Sequence, residues 1–327
     1  MNNPYLLTAI ASPIFIIMVI IGYYIFVPAE IRINYKHISK SRLLLGILPY
    51  GVSAYFIYVL VNSQALIRDI LGLNPLLNYA KYIMMIEGDA VSYFQSFVSP
   101  TLTYILSFVY LMIFAFVMIF TFLLFVFSGN LKALQEYTIA FIIIYLVAFP
   151  FYIFFPVRVT GYTLSNISPL LYSLSPIIEQ SLRFCDPNLD NCFPSLHAAL
   201  TIMALLVVIL RTDIKSYKIF AWIATVSILF SILYLGIHWI TDLIGGVLLA
   251  IVAYFIAAKY RSRILAISRN VVVTIERKFG IYESIVCTNC SNELRIYPHL
   301  GEFECPHCNS VMHFHPLTHA YKQRKSI

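Results

Sequence analysis

Residues 101–127 read TLTYILSFVYLMIFAFVMIFTFLLFVF, without a single charged side chain. About 20 predominantly apolar residues are enough for a helix to cross the hydrocarbon core of a bilayer. The run does not alternate with period two, as a barrel strand would. In lipid its backbone groups must pair within the segment, which makes it a helix. The rest of the chain agrees with a membrane solvent. Of its 327 residues, 60% are hydrophobic and only 11% are charged, with mean hydropathy +0.83. A soluble domain is about half apolar and about a quarter charged. The net charge of +7 therefore speaks of loop orientation, and no nucleic-acid partner is expected.

Six to seven spans are expected, over 5–28, 43–62, 101–127, 136–156, 195–211, 217–236 and 239–258, the last three being the shortest. The first run has no basic segment before it and is too long for a signal-peptide core, so it is read as a retained span. Arg32, Lys36, Lys40, Arg42, Lys132, Arg211, Lys215, Lys218, Lys259, Arg261 and Arg263 fall on one set of connections. The opposite set holds Arg68, Lys81, Arg158 and Arg183. The positive-inside rule places the first set in the cytoplasm. The N-terminus and the loops 63–100 and 157–194 then lie outside, and the default location is the plasma membrane. Within 63–100, apolar and polar residues mix at roughly helical spacing. Both an interfacial amphipathic helix and a packed extramembrane helix are open there.

After about Lys259 charges appear and apolar runs shorten, which reads as a basic linker helix leading to a small soluble domain at about 280–320. The tail carries CTNC, fourteen residues, then CPHC. Cys287, Cys290, Cys305 and Cys308 have the spacing of two knuckles around one tetrahedral zinc. A reducing cytoplasm disfavours disulfides there. Four thiolates leave no open position, so the metal is structural, in a ribbon-like module bearing an interaction or regulatory role. Cys185 and Cys192 sit in an outer loop, where a disulfide and two separate thiols are both open.

The polar residues at span ends carry the chemistry. NCFPSLHAAL (191–200) opens the fifth span with Pro194, Ser195 and His197, and SILYLGIHWITDLIGG (231–246) opens the seventh with His238 and Asp242. On a helix His238 and Asp242 lie one turn apart on one face, where a carboxylate fixes the imidazole tautomer. Gly245 and Gly246 allow a close helix approach. The alternation of spans brings His197, His238 and Arg158 (in FPVRVTGY) to the same side of the membrane. Ionisable residues at such depth are functional candidates. Two histidines, a carboxylate and a cation suit metal-free phosphoryl transfer. One imidazole attacks phosphorus, the carboxylate orients it, and the other imidazole moves the proton. Cations and helix N-terminal amides hold the phosphate. Pro194 fits the first helical turn, with Ser195 at an anion site.

FPSLH at 193–197 and H-x3-D at 238–242, followed by LIGG, resemble the second and third motifs of the type 2 phosphatidic acid phosphatase superfamily. The PSLH form with HW-x2-DLIGG most resembles its inositol-phosphorylceramide-synthase-like branch, the inositolphosphotransferases. The likeness covers about residues 40–258. It implies His238 as nucleophile, Asp242 as its support, His197 as acid/base, and Ser195 and Arg158 as phosphate contacts. The first phosphatase motif, K-x6-RP, is incomplete here, with Phe151 at the lysine position and Val159 after Arg158. Ser231 matches the serine of the third motif, but Ile232 stands where that motif has arginine. Arg68, Lys81 and Arg183 are candidates to replace the missing charge.

These readings give an all-α polytopic bundle with a small C-terminal zinc ribbon. Residues 1–42 form an N-terminal transmembrane helix and cytoplasmic loop, 43–264 the phosphatase-like catalytic domain, and 280–320 the cytoplasmic ribbon. The expected activity is a lipid phosphatase or phosphotransferase with a phosphohistidine intermediate. Its substrate is a membrane lipid phosphate or phosphodiester and its acceptor water or an alcohol. No catalytic cofactor is expected, only structural zinc, and the ribbon is expected to meet a cytoplasmic protein partner. A transporter would concentrate its ionisable residues at mid-membrane, whereas here they cluster at span ends. A non-catalytic anchor for the ribbon would leave the histidines unexplained.

Overall fold

The computed structural model describes residues 5–33, 39–74 and 77–322. Lys36 and positions 75–76, which entered the charge and loop readings above, lie outside the described residues. The chain begins with α1 (Leu6–Phe26), a short α2 (Ala29–Ile33) and α3 (Lys40–Asn62). Next come α4 (Gln64–Ile70), α5 (Ala80–Glu87) and a 3-10 turn (Ala90–Gln95). The span quoted above is α6 (Pro100–Phe108), a π-helical turn (Val109–Ile113) and α7 (Phe114–Phe127) in one run. It is followed by α8 (Leu131–Phe154), the short α9 (Leu170–Ser173) and α10 (Pro176–Cys185). The last spans are α11 (Leu196–Arg211), α12 (Lys215–Tyr234) and α13 (Ile240–Phe279).

Several helix starts follow local chemistry. Ser99 Oγ accepts from Leu102 N, with Pro100 in the first turn, and Asn130 Oδ1 accepts from Ala133 N. Ser175 does the same ahead of Pro176. Short polar side chains satisfy amides that the first helical turn leaves unpaired.

Among the described residues, six helices are long and apolar enough to span a membrane. The protein is an integral membrane helical bundle with a small C-terminal module. The fifth expected span, α11, has only 16 residues, about 24 Å of helix. It packs against α7, α8, α12 and α13. Protein rather than lipid surrounds much of it, which removes the need for full lipid length. The fully buried core gathers there, with Phe120, Ile144, Met203, Val207, Ala250 and Ala253. By contrast α1 exposes Ile10, Ile14, Ile17, Ile21 and Ile25, side chains that suit lipid.

Among the described residues, positions 63–100 are not one helix. They break into α4, α5 and the 3-10 turn, which cover one end of the bundle: the Gln95 side chain donates to Ser168 O (2.9 Å) and Tyr234 O (2.8 Å) and accepts from Ser168 N (2.8 Å). The seventh span and the basic linker helix after it are one element. α13 continues unbroken for 40 residues, about 60 Å, and carries the tail with it.

The tail holds two antiparallel hairpins. β1 (Glu283–Val286) pairs with β2 (Glu293–Ile296), and β3 (Gly301–Glu304) with β4 (Val311–Phe314). A closing helix, α14 (Pro316–Lys322), packs on α3, where Leu317 sits directly over Gly46. A Cβ at position 46 would lie 2.6 Å from Leu317 N, so the approach needs glycine. Arg42 also pairs with Glu283 at 2.6 Å. The tail is thus carried on α13 and docked on the bundle through α3.

Candidate active site

α11 and α13 start at the same end of the bundle, and their starts build the site. Ser195 is the N-cap of α11, its Oγ accepting from Ala198 N at 3.3 Å. Pro194 therefore stands one residue before the cap, not in the first turn, because the serine side chain takes the capping position. Its carbonyl accepts from Tyr152 Oη at 2.7 Å. Across the gap, Asp242 occupies the third position of α13, and its Oδ2 accepts from Trp239 N at 2.9 Å. The same Oδ2 lies 3.2 Å from His238 Nδ1. One carboxylate oxygen thus fixes both the helix start and the imidazole.

Gly246 allows these parts to meet. A Cβ there would lie 2.5 Å from Ser195 O and 2.9 Å from Ala198 Cβ. Any larger residue would push α13 off the start of α11. With the helices this close, His238 Nε2 lies 3.3 Å from Ser195 Oγ and 3.4 Å from His197 Nδ1. His238 is 3% exposed, and Ser195 and Asp242 are fully buried. With Nδ1–H donated to Asp242, the Nε2 lone pair points at Ser195 and His197.

Other groups that hold the site carried no signal in the sequence. The His197 ring sits between Tyr110 and Phe114, with centroids at 4.7 and 4.6 Å. Tyr110 lies in the π-helical turn, and such turns recur at functional sites. Glu87 accepts from Ile240 N (3.2 Å) and from Thr241 N and Oγ1 (both 2.7 Å). A carboxylate suits a helix N-terminus, and this one holds the start of α13 from outside. The first amides of α13 are consequently taken. Trp239 Nε1 donates to Arg158 O at 3.0 Å.

Arg158 stands apart. Val157 and Asn191 form an isolated parallel bridge, with Val157 N on Asp190 O and Cys192 N on Val157 O, and Val159 N also donates to Leu189 O. Successive side chains of the extended residues 158 and 159 point to opposite sides. Val159, Leu189 and Asn191 face a chamber of about 370 Å³ that reaches His197 and His238. Arg158 and Asp190 face a neighbouring recess with Arg183. There Arg158 lies over the Tyr162 ring, 5.7 Å from its centroid. The other candidate cations are engaged too. Arg68 is buried on Asp190 (2.7 Å), Arg183 pairs with Glu179 (2.9 Å), and Lys81 lies over Tyr82.

Among the described residues lining the chamber, none is lysine or arginine. Its polar lining is hydroxyl, amide, acid, thiol and the two imidazoles. Asp186 accepts backbone hydrogen bonds from Asp190 and Asn191. Burial, then the neighbouring Asp190 carboxylate, push the Asp186 carboxyl up to about 7. Gln64 Oε1 and Asn191 Oδ1 are buried there without a partner. Cys185 and Cys192 are free thiols. Cys192 turns inward, its Sγ donating to Ile237 O at 3.4 Å, while Cys185 is exposed at the end of α10.

At the other end of the chain, Cys287–Cys290 and Cys305–Cys308 occupy the two hairpin turns. Their sulfurs lie within 4.8 Å of one another, with 3.8 Å for Cys287–Cys308 and for Cys290–Cys305. Tetrahedral zinc with Zn–S of about 2.3 Å needs sulfurs about 3.8 Å apart, so the four cysteines are compatible with a structural zinc site. Hydrogen bonds from Ser310 pull the Cys308 thiol down to about 6, towards the thiolate that binds metal.

The family model described as PAP2 superfamily matches residues 91–256, just over half of the chain. No curated protein and no solved structure gives a significant match.

Proposed function

The chain belongs to the PAP2 superfamily, and from that premise we propose that it transfers a lipid-borne phosphoryl group through a phosphohistidine at His238. Members of the superfamily are usually phosphatases, and the family implies a lipid phosphate substrate. The observation that carries the reading is the placement of His238, with Nδ1 on Asp242 and Nε2 facing both Ser195 and His197.

The steps follow from that geometry. His238 Nε2 attacks phosphorus, and the bond from phosphorus to the leaving oxygen breaks. His197, protonated, gives its proton to that oxygen. The acceptor hydroxyl then loses its proton to His197 and attacks the phosphorus, the N–P bond breaks, and His238 regains its lone pair. Asp242 balances the charge that the Nε2 substituent places on the ring. Ser195 Oγ–H donates to a phosphate oxygen. Because Ser195 and His197 now close the front of Nε2, the arriving phosphate displaces the His197 ring towards the chamber. Arg158, on the far side of the extended pairing, acts at the rim, drawing the anionic substrate in.

The chamber supports the finer reading, an inositol-phosphorylceramide-synthase-like phosphotransferase. A phosphate monoester asks for several fixed cations, and the described lining of the chamber holds no lysine or arginine. Asp186, Gln64 Oε1 and Asn191 Oδ1 are acceptors suited to the hydroxyls of a phosphodiester head group. We read 43–264 as the catalytic unit, since the family match falls inside it, with 1–42 before it and 280–320 as a zinc ribbon. The ribbon exposes Val286 and Val311 on its hairpins, which supports a protein partner on that side. The excess of basic residues on the ribbon side supports a cytoplasmic ribbon and an outward site in the plasma membrane. In intact cells a membrane-impermeant maleimide should then label Cys185 and spare the tail.

The reaction is tested with purified protein in nanodiscs and a panel of lipid phosphate monoesters and diesters. Free phosphate is measured against transfer to added alcohols. Head-group transfer from a diester, lost in His238→Ala, is expected. Unchanged turnover in His238→Ala would remove the mechanism, and phosphate release from monoesters alone would remove the synthase-like reading.

A further inference from the structure

The opposite end of the bundle holds a second cavity, of about 340 Å³, between α3, α8, α13 and the C-terminal hairpins. Its lining is as cationic as that of the first chamber is not. Arg261 and Arg269 enter from α13, about two turns apart, and His299, His313 and His315 from the hairpin module. Among the described lining residues Glu302 is the one acid. Arg261 is held on one side by Gln135 Oε1 (2.6 Å). For Arg269 the nearest polar contact is a long one, Nη1 to Leu300 O at 3.4 Å, and no described carboxylate pairs with it.

His299 is the informative group. Its Nδ1 contacts Glu276 Oε1 at 2.5 Å, and its backbone N donates to Glu276 Oε2 at 3.3 Å. Its Nε2 is buried and has no hydrogen-bond partner. A buried ring nitrogen is ordinarily satisfied, and this one borders a cavity large enough for a ligand. Beside it, the His299 and His315 rings meet edge to face, 5.5 Å apart. Two guanidinium groups nearby disfavour a metal cation at these imidazoles. An anion suits the guanidinium groups and the open His299 Nε2 together. Arg269 offers a forked donor suited to phosphate oxygens. In the imidazolium form, which Glu276 compensates, His299 Nε2–H donates into the cavity.

We propose that this cavity is a second, phosphate-binding site, built where the hairpin module meets the end of the bundle opposite the catalytic histidines. Its ligand carries a phosphate, either on an anionic lipid head group at that face of the membrane or free in solution. The site does not depend on the reaction proposed at His238. Because both the bundle and the module line it, a bound phosphate bridges them and tightens their contact.

Full-length protein in phosphatidylcholine nanodiscs provides the test, read by hydrogen–deuterium exchange over 299–302 and 313–315. One arm adds inorganic phosphate. The other replaces part of the lipid with phosphatidylglycerol and adds no phosphate. Slowed exchange at both segments is expected in at least one arm, and the responding arm identifies the source of the phosphate. Arg269→Gln should raise the half-saturating concentration about tenfold, through loss of a charge-assisted hydrogen bond, and His299→Gln should raise it as well. Arg263→Gln, an exposed arginine of α13 outside the cavity, should leave it unchanged. Both Arg269 and Arg263 are exposed, so folding of these variants is not at stake. The proposal is overturned by unchanged exchange in both arms, or by equal effects of Arg263→Gln and Arg269→Gln.

Discussion

The two ends of the bundle solve opposite problems with the same helices. At one end α11 and α13 begin, and their starts hold His197, His238 and Asp242 in a buried cluster beside a chamber without a lysine or arginine among its described lining residues. At the other end α8 begins and α11 finishes, and the fully buried Glu136 meets Arg211 at 2.6 Å and Arg261 at 4.0 Å. Charges there are paired across three helices, and nearby cations line a cavity. Buried charge at the second end is neutralised within the protein, so it contributes to architecture. At the first end imidazole nitrogens face one another and acceptors lack donors, an arrangement that stays incomplete until a substrate arrives.

If that contrast is right, substitutions at the two ends should separate rate from stability. The largest effect is expected for His238→Ala, a fall in kcat of about 10^4-fold with little change in melting temperature. Turnover in nanodiscs and thermal unfolding of the same preparation check it. Glu136→Gln should do the reverse. Leaving Arg211 without its buried carboxylate should cost about 2–3 kcal/mol, read from denaturant or thermal unfolding, while KM at saturating protein fold stays as in the parent. Arg158→Ala sharpens the first end. Because the extended pairing turns this side chain away from the chamber, a loss of about tenfold is expected, carried by KM and diminished by salt. A loss in kcat comparable to that of His238→Ala would mean that Arg158 swings to the phosphorus.

The smallest effect is a pH dependence. The Asp186 carboxyl stands at about 7, above the usual carboxylate range near 3.9. The native state therefore binds that proton more tightly than the unfolded chain. Its stabilising contribution is complete below about pH 4 and is lost as pH rises through about 7. Asp186→Asn should flatten the decline of melting temperature between pH 5 and 8. An unchanged slope would place the titration elsewhere.

The features legible in the sequence were the local ones. His238 and Asp242 are four residues apart, and one turn of helix geometry brings them together. C-x2-C marks a knuckle by itself, and long apolar runs mark spans. The proximity of His197 to His238 needed only the alternation of spans. What escaped depended on contacts distant in sequence. Arg158 faces away because Val157 bridges Asn191, some thirty residues on, and nothing in FPVRVTGY announces that bridge. Glu87 holds the start of α13 from more than 150 residues away in sequence. Tyr110 and Phe114 were two more aromatics in an apolar run until the π-helical turn set them around His197. The composition of the tail marks it as a separate module, while its docking rests on contacts distant in sequence, Leu317 over Gly46 and Glu283 on Arg42.

The central claim is the covalent step at His238, and trapping it is the most direct test. Protein mixed with a turned-over lipid substrate and quenched within the first turnovers should carry an acid-labile, base-stable phosphoryl adduct. Peptide mass spectrometry should place it on the segment containing His238, and Asp242→Asn should lower its yield. Sustained turnover with no adduct on that segment, or an adduct on His197 instead, would contradict the account.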